Sequence, residues 1–355
     1  LLSADLILDE VDNYSPQEMK HLQKLCYLAG LARRNVVCQS ATMGHLHAKA
    51  LLEAFQAGVA ASESLTGLPG VLRLVLGSNL AAPRDLLIET AEALPEALRF
   101  VDAFNQDCIL AQKATTPKVK QRVLDATALD FEALIQEALS LHKENAVALE
   151  PDLRASVGFV RFNTVTTARA FAAHLYAKQE VPPDTELSVV CYHSKYSALE
   201  LSVIDRTLNT LTNRKGLKEA DFSNEAVTQF WKPLANLSGK KNLVIIVVTT
   251  SILETGRDHD YDWAIVEPNS HRSLVQAAGR VRRHRGAGAG KINLSVIRYP
   301  AKALSDGVVA PRNPLSVWST PGPLTALNRG SLKIAPTNSS YQSVLNLASR
   351  DLGNP

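Results

Sequence analysis

The apolar residues of this chain fall into two patterns that alternate along most of its length. Short, nearly continuous apolar runs stand at "ADLIL" (residues 4 to 8), "NVVCQSAT" (35 to 42), "VGFVRFN" (157 to 163), "LSVVCYH" (187 to 193), "LVIIVVTT" (243 to 250), "DWAIVE" (262 to 267) and "INLSVIR" (292 to 298). Runs of this length, closed by polar or small residues, predict strands covered on both faces, as in a parallel sheet. Between them, apolar residues return every third or fourth position. "SPQEMKHLQKLCYLAGLA" opens with Ser15 as a cap and Pro16 at the first helical position, so a helix is expected between the first two strands. Further helices are expected over 165 to 178, near 196 to 212 and over 270 to 283. From about residue 56 to 152 the pattern is mostly helical, with breaks at Pro69, Pro83, Pro95 and Pro117. From residue 301 onward Pro, Gly, Ser and Asn dominate, the composition of an extended linker or wrap.

Strands alternating with helices predict an α/β chain with doubly wound parallel sheets. The expected organisation is a C-terminal remainder of one such domain at 1–55, a helix-rich insertion or connection at 56–152, a second α/β domain at 153–300, and a linker toward an accessory domain at 301–355. The first block supplies only two core strands, yet both are apolar on both faces and so require neighbours. The chain is therefore expected to be one segment of a longer polypeptide.

Composition narrows the partners only slightly. With 46% hydrophobic and 21% charged residues the chain is of ordinary globular make-up, and a net charge of +3 does not by itself demand a polyanion, so any nucleic-acid surface must come from local clustering. Cys26, Cys38, Cys108 and Cys191 are scattered without a C-x-x-C pair, so neither a disulfide framework nor a zinc site is suggested, and a reducing, cytoplasmic setting is expected. No apolar run reaches the roughly 20 residues that span a membrane, and the start of the chain lacks the basic region of a signal peptide.

Four short stretches carry chemistry. "LILDEVD" sets Asp9, Glu10 and Asp12 at the carboxyl end of a buried strand, where open α/β sheets bind ligands. This is a Walker B arrangement, in which Asp9 holds Mg2+ through water and Glu10 polarises the attacking water. The plainer reading is an acidic turn in which Asp12 or Ser15 caps a helix. Ser40, Ala41 and Thr42 follow the next strand and gain meaning only from that order. "TTSILETGRDHDYDWAIVEP" has Thr250 at a strand end, then Glu254 and Gly256, then Asp258, Asp260 and Asp262 in a loop; Gly256 would let the backbone turn close to a phosphate or a partner domain. A solvated acidic loop is the plainer alternative. The His259–Asp260 pair imitates a metal phosphohydrolase dyad but lacks the further His and Asp ligands such a site needs.

The last stretch, "SLVQAAGRVRRHRG", packs four arginines into six positions. Q-x-x-G-R-x-x-R is present as Gln276, Gly279, Arg280 and Arg283, with the two arginines three apart on one expected helical face, where they could reach a polyanion such as ATP. Arg282, His284 and Arg285 are expected to be surface charge. "GAGAGK" at 286 to 291 mimics a phosphate-binding loop, but its spacing, the Ile292 after the lysine and the order of its flanking elements are all wrong for one. No true Walker A loop is found in the chain.

In order, D-E-x-D, S-A-T, "FVRFNT", T-x-x-x-E-x-G-x-D and Q-x-x-G-R-x-x-R are similar to motifs II to VI of superfamily 2 helicases. "LILDEVDNYSP", "CQSATM", "CYHSKY" and "QAAGRVRRHRG" together resemble the CRISPR-associated helicase-nuclease of type I systems, the Cas-three family, most nearly the type I-F form fused to a Cas-two-like domain. The resemblance covers roughly residues 1 to 300. It implies tandem RecA-like domains, the first incomplete here, and a 3′-to-5′ single-stranded DNA translocase driven by ATP. It also implies a metal-dependent HD nuclease with its own metal ions, lying before the helicase and outside this chain, and recruitment by a guide-RNA surveillance complex. By the same resemblance Asp9 and Glu10 are Mg-ATP residues, Gly256, Asp258 and Gln276 face the nucleotide, and Arg280 and Arg283 are fingers. Asn163, His193 and Thr250 become DNA-groove residues, while Asp12, Ser40 and Thr42 couple the two functions. Ala277 stands where many relatives have arginine, and Asp12 where others have histidine. Without a Walker A loop the segment alone is expected to be inactive. Another superfamily 2 helicase or translocase, or an inert nucleic-acid-binding module that kept the fold, is the alternative.

Overall fold

The structure is a computed structural model that describes residues 4–11, 14, 16–40, 45–88, 94–113, 119–126, 128–177, 181–218, 221–254, 257–269, 271–285 and 291–298. Asp12, Ser15, Thr42, Gly256, most of the glycine-rich decoy and the whole of 301–355 lie outside those residues. The chain divides into two compact units between residues 115 and 116.

In the first unit β1 (Leu6–Asp9), α1 (Pro16–Leu31) and β2 (Val36–Gln39) form the expected crossover, and α2 (His45–Thr66) follows. The strands run parallel, with Leu6 opposite Val36 and Asp9 opposite Gln39. One face is covered: Leu8, Val11, Met19, Leu22, Cys26 and Leu51 form a buried cluster. The other leaves Ile7 72% and Val37 51% exposed, so these strands are two-sided in sequence but one-sided in burial among the described residues. The helices cross closely because Gly58 meets the Tyr27 carbonyl and Gly30 the Phe55 carbonyl; a Cβ there would stand 2.0 and 2.2 Å from those oxygens. The stretch read as mostly helical also contains an antiparallel hairpin, β3 (Leu72–Leu76) and β4 (Arg84–Ile88), before α3 (Leu94–Lys113).

The second unit begins with β5 (Gln121–Asp125), α4 (Phe131–Asn145), β6 (Val147–Glu150), β7 (Leu153–Arg161), α5 (Val165–Ala177), β8 (Thr185–Tyr192) and α6 (Ala198–Thr212). A helical stretch with a π segment at Val227–Trp231 between α7 (Asn224–Ala226) and α8 (Lys232–Ser238) leads to β9 (Asn242–Thr249), β10 (Trp263–Val266), α9 (His271–Ala278) and β11 (Leu294–Arg298). The sheet has seven strands in the order β5-β11-β10-β7-β9-β8, with β6 added antiparallel to β7 and every other pair parallel. This unit starts earlier than the expected boundary at 153, because β5 pairs with β11 from Gln121–Leu294 to Asp125–Arg298. As an edge strand β5 carries Gln121, Arg122 and Asp125 and so lacks the apolar run of a buried strand.

The centre of the sheet is dry. Val157, Phe159, Ile245, Val247, Ala264 and Val266 pack with Trp231 and Tyr261 in one cluster. On the opposite face Trp263 lies on Gly158, where an added Cβ would be 2.2 Å from the indole carbons. Among the described residues no helix is long and apolar enough to cross a membrane.

Candidate functional site

The carboxyl ends of the parallel strands carry most of the candidate residues, each unit having its own set. In the first unit Asp9 ends β1 and pairs with Gln39, so Glu10 and Ser40 leave adjacent strands side by side. Glu10 adopts φ 52°, a region a side-chain-bearing residue rarely occupies, and its N–H donates to Asp9 Oδ1 at 2.9 Å. Two adjacent carboxylates at a strand end are hard oxygen donors of the kind Mg2+ prefers. Among the described residues no group of three or more His, Cys, Asp or Glu side chains could enclose a metal alone. A cation here would draw its other ligands from phosphate and water.

In the second unit the edge is organised by a residue the motif reading passed over. Arg161, the last residue of β7, is buried; its Nε donates to Glu254 Oε1 at 2.8 Å and its Nη1 to the Glu267 carbonyl at 2.8 Å and to Asn163 Oδ1. Ser273 of α9 donates to the same Glu254 oxygen at 2.7 Å. Asn163 is held further by its N–H to Glu267 Oε2 (2.8 Å) and its Nδ2 to the Pro268 carbonyl (3.2 Å). An arginine closing an otherwise apolar strand is the sequence signal that could have found this knot, since a buried charge must be paired. His193 follows β8, is largely buried, and stacks on Tyr196 with ring centroids 4.3 Å apart and planes 6° from parallel. Burial lowers its pKa below the ordinary histidine value. Thr250, buried, follows β9 and opens the short turn Ser251–Leu253. Asn163, His193 and Thr250 thus follow three neighbouring strands at one edge.

The arginine segment differs from its expected form. The helix expected over 270–283 ends at Ala278, so Arg280 and Arg283 do not share a helical face. The chain turns at Gly279 and lies against the loop before β10: Tyr261 N–H donates to the Arg280 carbonyl at 2.8 Å, Arg282 N–H to the Tyr261 carbonyl at 3.0 Å, and Arg282 takes φ 54°. Arg280 points inward, its Nη2 donating to the Glu254 carbonyl at 2.6 Å and its Nη1 to that of Arg257. Arg283 keeps 33% of its side chain exposed and pairs through Nε with Asp258 Oδ1 at 2.7 Å, an oxygen that His284 Nε2 also meets at 3.0 Å. Burial works to raise the Asp258 pKa, but the charges of His284 and Arg283 outweigh it and hold the carboxyl below its ordinary value. Gln276 lies partly buried on α9.

Arg285 is not surface charge. It is buried, donating to Asp260 Oδ1 through Nη2 (2.7 Å), to Asp262 Oδ1 through Nη1 (2.7 Å) and to the Tyr261 carbonyl (2.7 Å). Arg214, also buried, reaches Asp262 Oδ1 at 3.1 Å and lies 3.6 Å from the Phe222 ring centroid. The Asp258–Asp262 loop is therefore not a solvated acidic turn: Asp260 and Asp262 are core carboxylates, and a periodicity argument gives no warning of that. His259 beside them is buried, with burial pushing its pKa down to about 4.

Residues 154–286 match the family model described as the C-terminal part of the CRISPR-associated nuclease/helicase Cas3. The chain is 29% identical over 295 residues to the CRISPR-associated nuclease/helicase Cas3 subtype I-F/YPEST of Pectobacterium atrosepticum, covering 80% of this chain and 26% of that protein. It is 29% identical over 324 residues to the Pseudomonas aeruginosa protein of the same name, covering 86% and 29%. The chain thus spans about a quarter of the length of these relatives. Among solved structures the crystal structure of T. fusca Cas3-AMPPNP aligns with a TM-score of 0.56 at 16% identity over 99% of this chain and 39% of that one. T. fusca Cas3-ATP gives 0.55 at 20% over 97% and 35%, and a CRISPR RNA-guided surveillance complex, pre-nicking, gives 0.52 at 16% over 99% and 41%. These likenesses show the RecA-like α/β fold, and by the family model and the two relatives the chain is similar to the Cas3 helicase-nucleases.

Proposed function

We propose that this chain is a segment of an ATP-driven motor that moves along single-stranded DNA and supplies it to an HD nuclease elsewhere in the same polypeptide, in the degradation of foreign DNA. The observation that carries the reading is the placement of Asp9, Glu10 and Ser40 in one unit and of Asn163, His193 and Thr250 in the other, each set at the carboxyl ends of parallel strands, the edge at which open α/β sheets bind ligands. The T. fusca Cas3-ATP and Cas3-AMPPNP structures support a nucleotide, and the surveillance-complex structure supports recruitment to a guide-RNA complex.

Asp9 would hold Mg2+, which supplies charge neutralisation of the phosphates when bound. Glu10 takes the proton of the attacking water. Arg283, partly exposed and paired with a solvent-facing carboxylate, is the better placed of the two proposed fingers to exchange that partner for a phosphate. Arg280, gripping the carbonyls of Glu254 and Arg257, is the more firmly held of the two. Gly256, Asp258 and Gln276 are assigned to the nucleotide side, and Asn163, His193 and Thr250 to the DNA side. Asp12, Ser40 and Thr42 are assigned to coupling between them. Contacts to single-stranded DNA would be chiefly to phosphate and independent of sequence.

The test uses the full-length protein. ATP hydrolysis should rise on adding single-stranded DNA of mixed sequence, and DNA affinity should fall steeply with salt. Hydrolysis indifferent to DNA, or none at all, would favour an inert module that retained the fold.

A further inference from the structure

A line of hydrogen bonds inside the second unit joins the end of β8 to the arginine segment, through residues the motif reading left without a role. Tyr192, the last residue of β8, is fully buried. Its hydroxyl donates to Asp205 Oδ1 on α6 at 2.5 Å and accepts from Arg257 Nε at 2.8 Å. Arg257 Nη2 pairs with the other Asp205 oxygen at 2.9 Å, and the Arg257 carbonyl accepts from Arg280 Nη1. One residue after Tyr192 comes His193, stacked on Tyr196 at the proposed DNA edge.

The geometry leaves little freedom in this line. Burial, then the neighbouring Asp205, pushes the Tyr192 hydroxyl up to about 12, so it stays protonated at neutral pH and must donate to the carboxylate while accepting from the guanidinium. Residues 257–260 have no regular secondary structure, so no strand ladder fixes the carbonyl of Arg257. Its side chain does so, anchored at both ends of the Asp205 carboxylate–Tyr192 hydroxyl pair. The Arg257 carbonyl in turn helps to hold the guanidinium of Arg280.

We propose that Tyr192, Asp205 and Arg257 are positioning residues, which transmit occupancy of the edge at His193 to the arginine segment through the carbonyl of Arg257. The inference rests on the proposed reading that DNA lies at that edge and that hydrolysis depends on the arginines. Tyr192→Phe removes one hydroxyl and keeps the ring, and Asp205→Asn keeps the shape and removes the charge. Tyr176→Phe is the control, because its hydroxyl donates to the Val189 carbonyl on the same strand at 2.8 Å, an exposed bond outside this line.

In the full-length protein, kcat and KM for ATP are measured with and without saturating single-stranded DNA, alongside DNA affinity and thermal unfolding. Tyr192→Phe and Asp205→Asn should reduce the stimulation of kcat by DNA about twofold to thirtyfold, the range such intermediate residues exert on coupling, with DNA affinity and a cooperative thermal transition retained. Tyr176→Phe should match the parent protein. Full stimulation in a folded Tyr192→Phe protein would overturn the proposal, as would a loss confined to DNA affinity. Loss of the cooperative transition in both variants would show the network to be structural and overturn it too. A parent protein that DNA does not stimulate would instead refute the functional reading beneath it.

Discussion

Arg283 and Arg285 stand two residues apart in one basic run, and the structure gives them opposite surroundings, one partly exposed and one buried. Arg285→Ala would take the guanidinium from the buried Asp260 and leave it the His284 N–H at 2.9 Å, while Asp262 keeps Arg214 and the Val157 N–H. Removing one partner of a buried ion pair costs about 3 to 5 kcal/mol, because a charge is stranded where water cannot reach it. For a unit of this size each kcal/mol moves the melting temperature by about 2 to 4 °C, so a fall of about 6 to 20 °C is expected. Arg283→Ala breaks a pair whose carboxylate is 56% exposed, and such pairs contribute about 0 to 1 kcal/mol. Its melting temperature should stay within a few degrees of the parent, while its hydrolysis rate falls by about 10³ to 10⁵, the scale of an arginine finger. The assay is thermal unfolding of both variants beside their ATPase rates in the full-length protein. Equal destabilisation by the two substitutions would refute the division of roles, and so would a fully active Arg283→Ala protein.

Two further predictions concern the same unit. His259 is kept neutral by burial that lowers its pKa from 6.5 to about 4, so the unfolded chain binds a proton that the folded chain refuses; stability should be full above about 6.5 and fall by about 3 kcal/mol as the pH drops to about 4. His142, buried beside Ser156 and lowered in the same direction, adds to this with the same sign. Urea midpoints at pH 7 and pH 5 should therefore differ less in His259→Gln than in the parent, and an unchanged difference would refute the assignment. Gly158→Ala drives a methyl into the Trp263 indole and should cost about 1 to 3 kcal/mol by overpacking, partly relieved when combined with Trp263→Leu; a neutral Gly158→Ala would show that the strands can separate more readily than their packing implies.

What the sequence made legible was the dry part of the fold. β7, β9 and β10 are covered on both faces and announce themselves as apolar runs. β5 does not, because an edge strand tolerates Gln121, Arg122 and Asp125. The hairpin of β3 and β4 was hidden for a different reason: Leu72, Leu74 and Leu76 alternate inward over only five residues within a stretch dominated by helices. At the site, the order of the motifs located the strand ends, and the structure sets Asn163, His193 and Thr250 at neighbouring ends. The arginine run was misjudged because its environment comes from residues distant in sequence. The buried acids at 260 and 262 draw Arg285 inward, and the Tyr261–Val281 bridge ends the helix before the arginines begin.

The central claim is that Glu10, lifted into a strained backbone conformation at the end of β1, takes the proton of the water that attacks ATP. Glu10→Gln keeps the size and polarity of the side chain but cannot accept that proton at neutral pH. The measurement is ATP affinity and single-turnover hydrolysis in the full-length protein with saturating DNA, comparing Glu10→Gln with the parent. The expected result is unchanged affinity with hydrolysis reduced at least about a hundredfold, the lower end of what a positioned general base supplies. Hydrolysis at the parent rate would contradict the account.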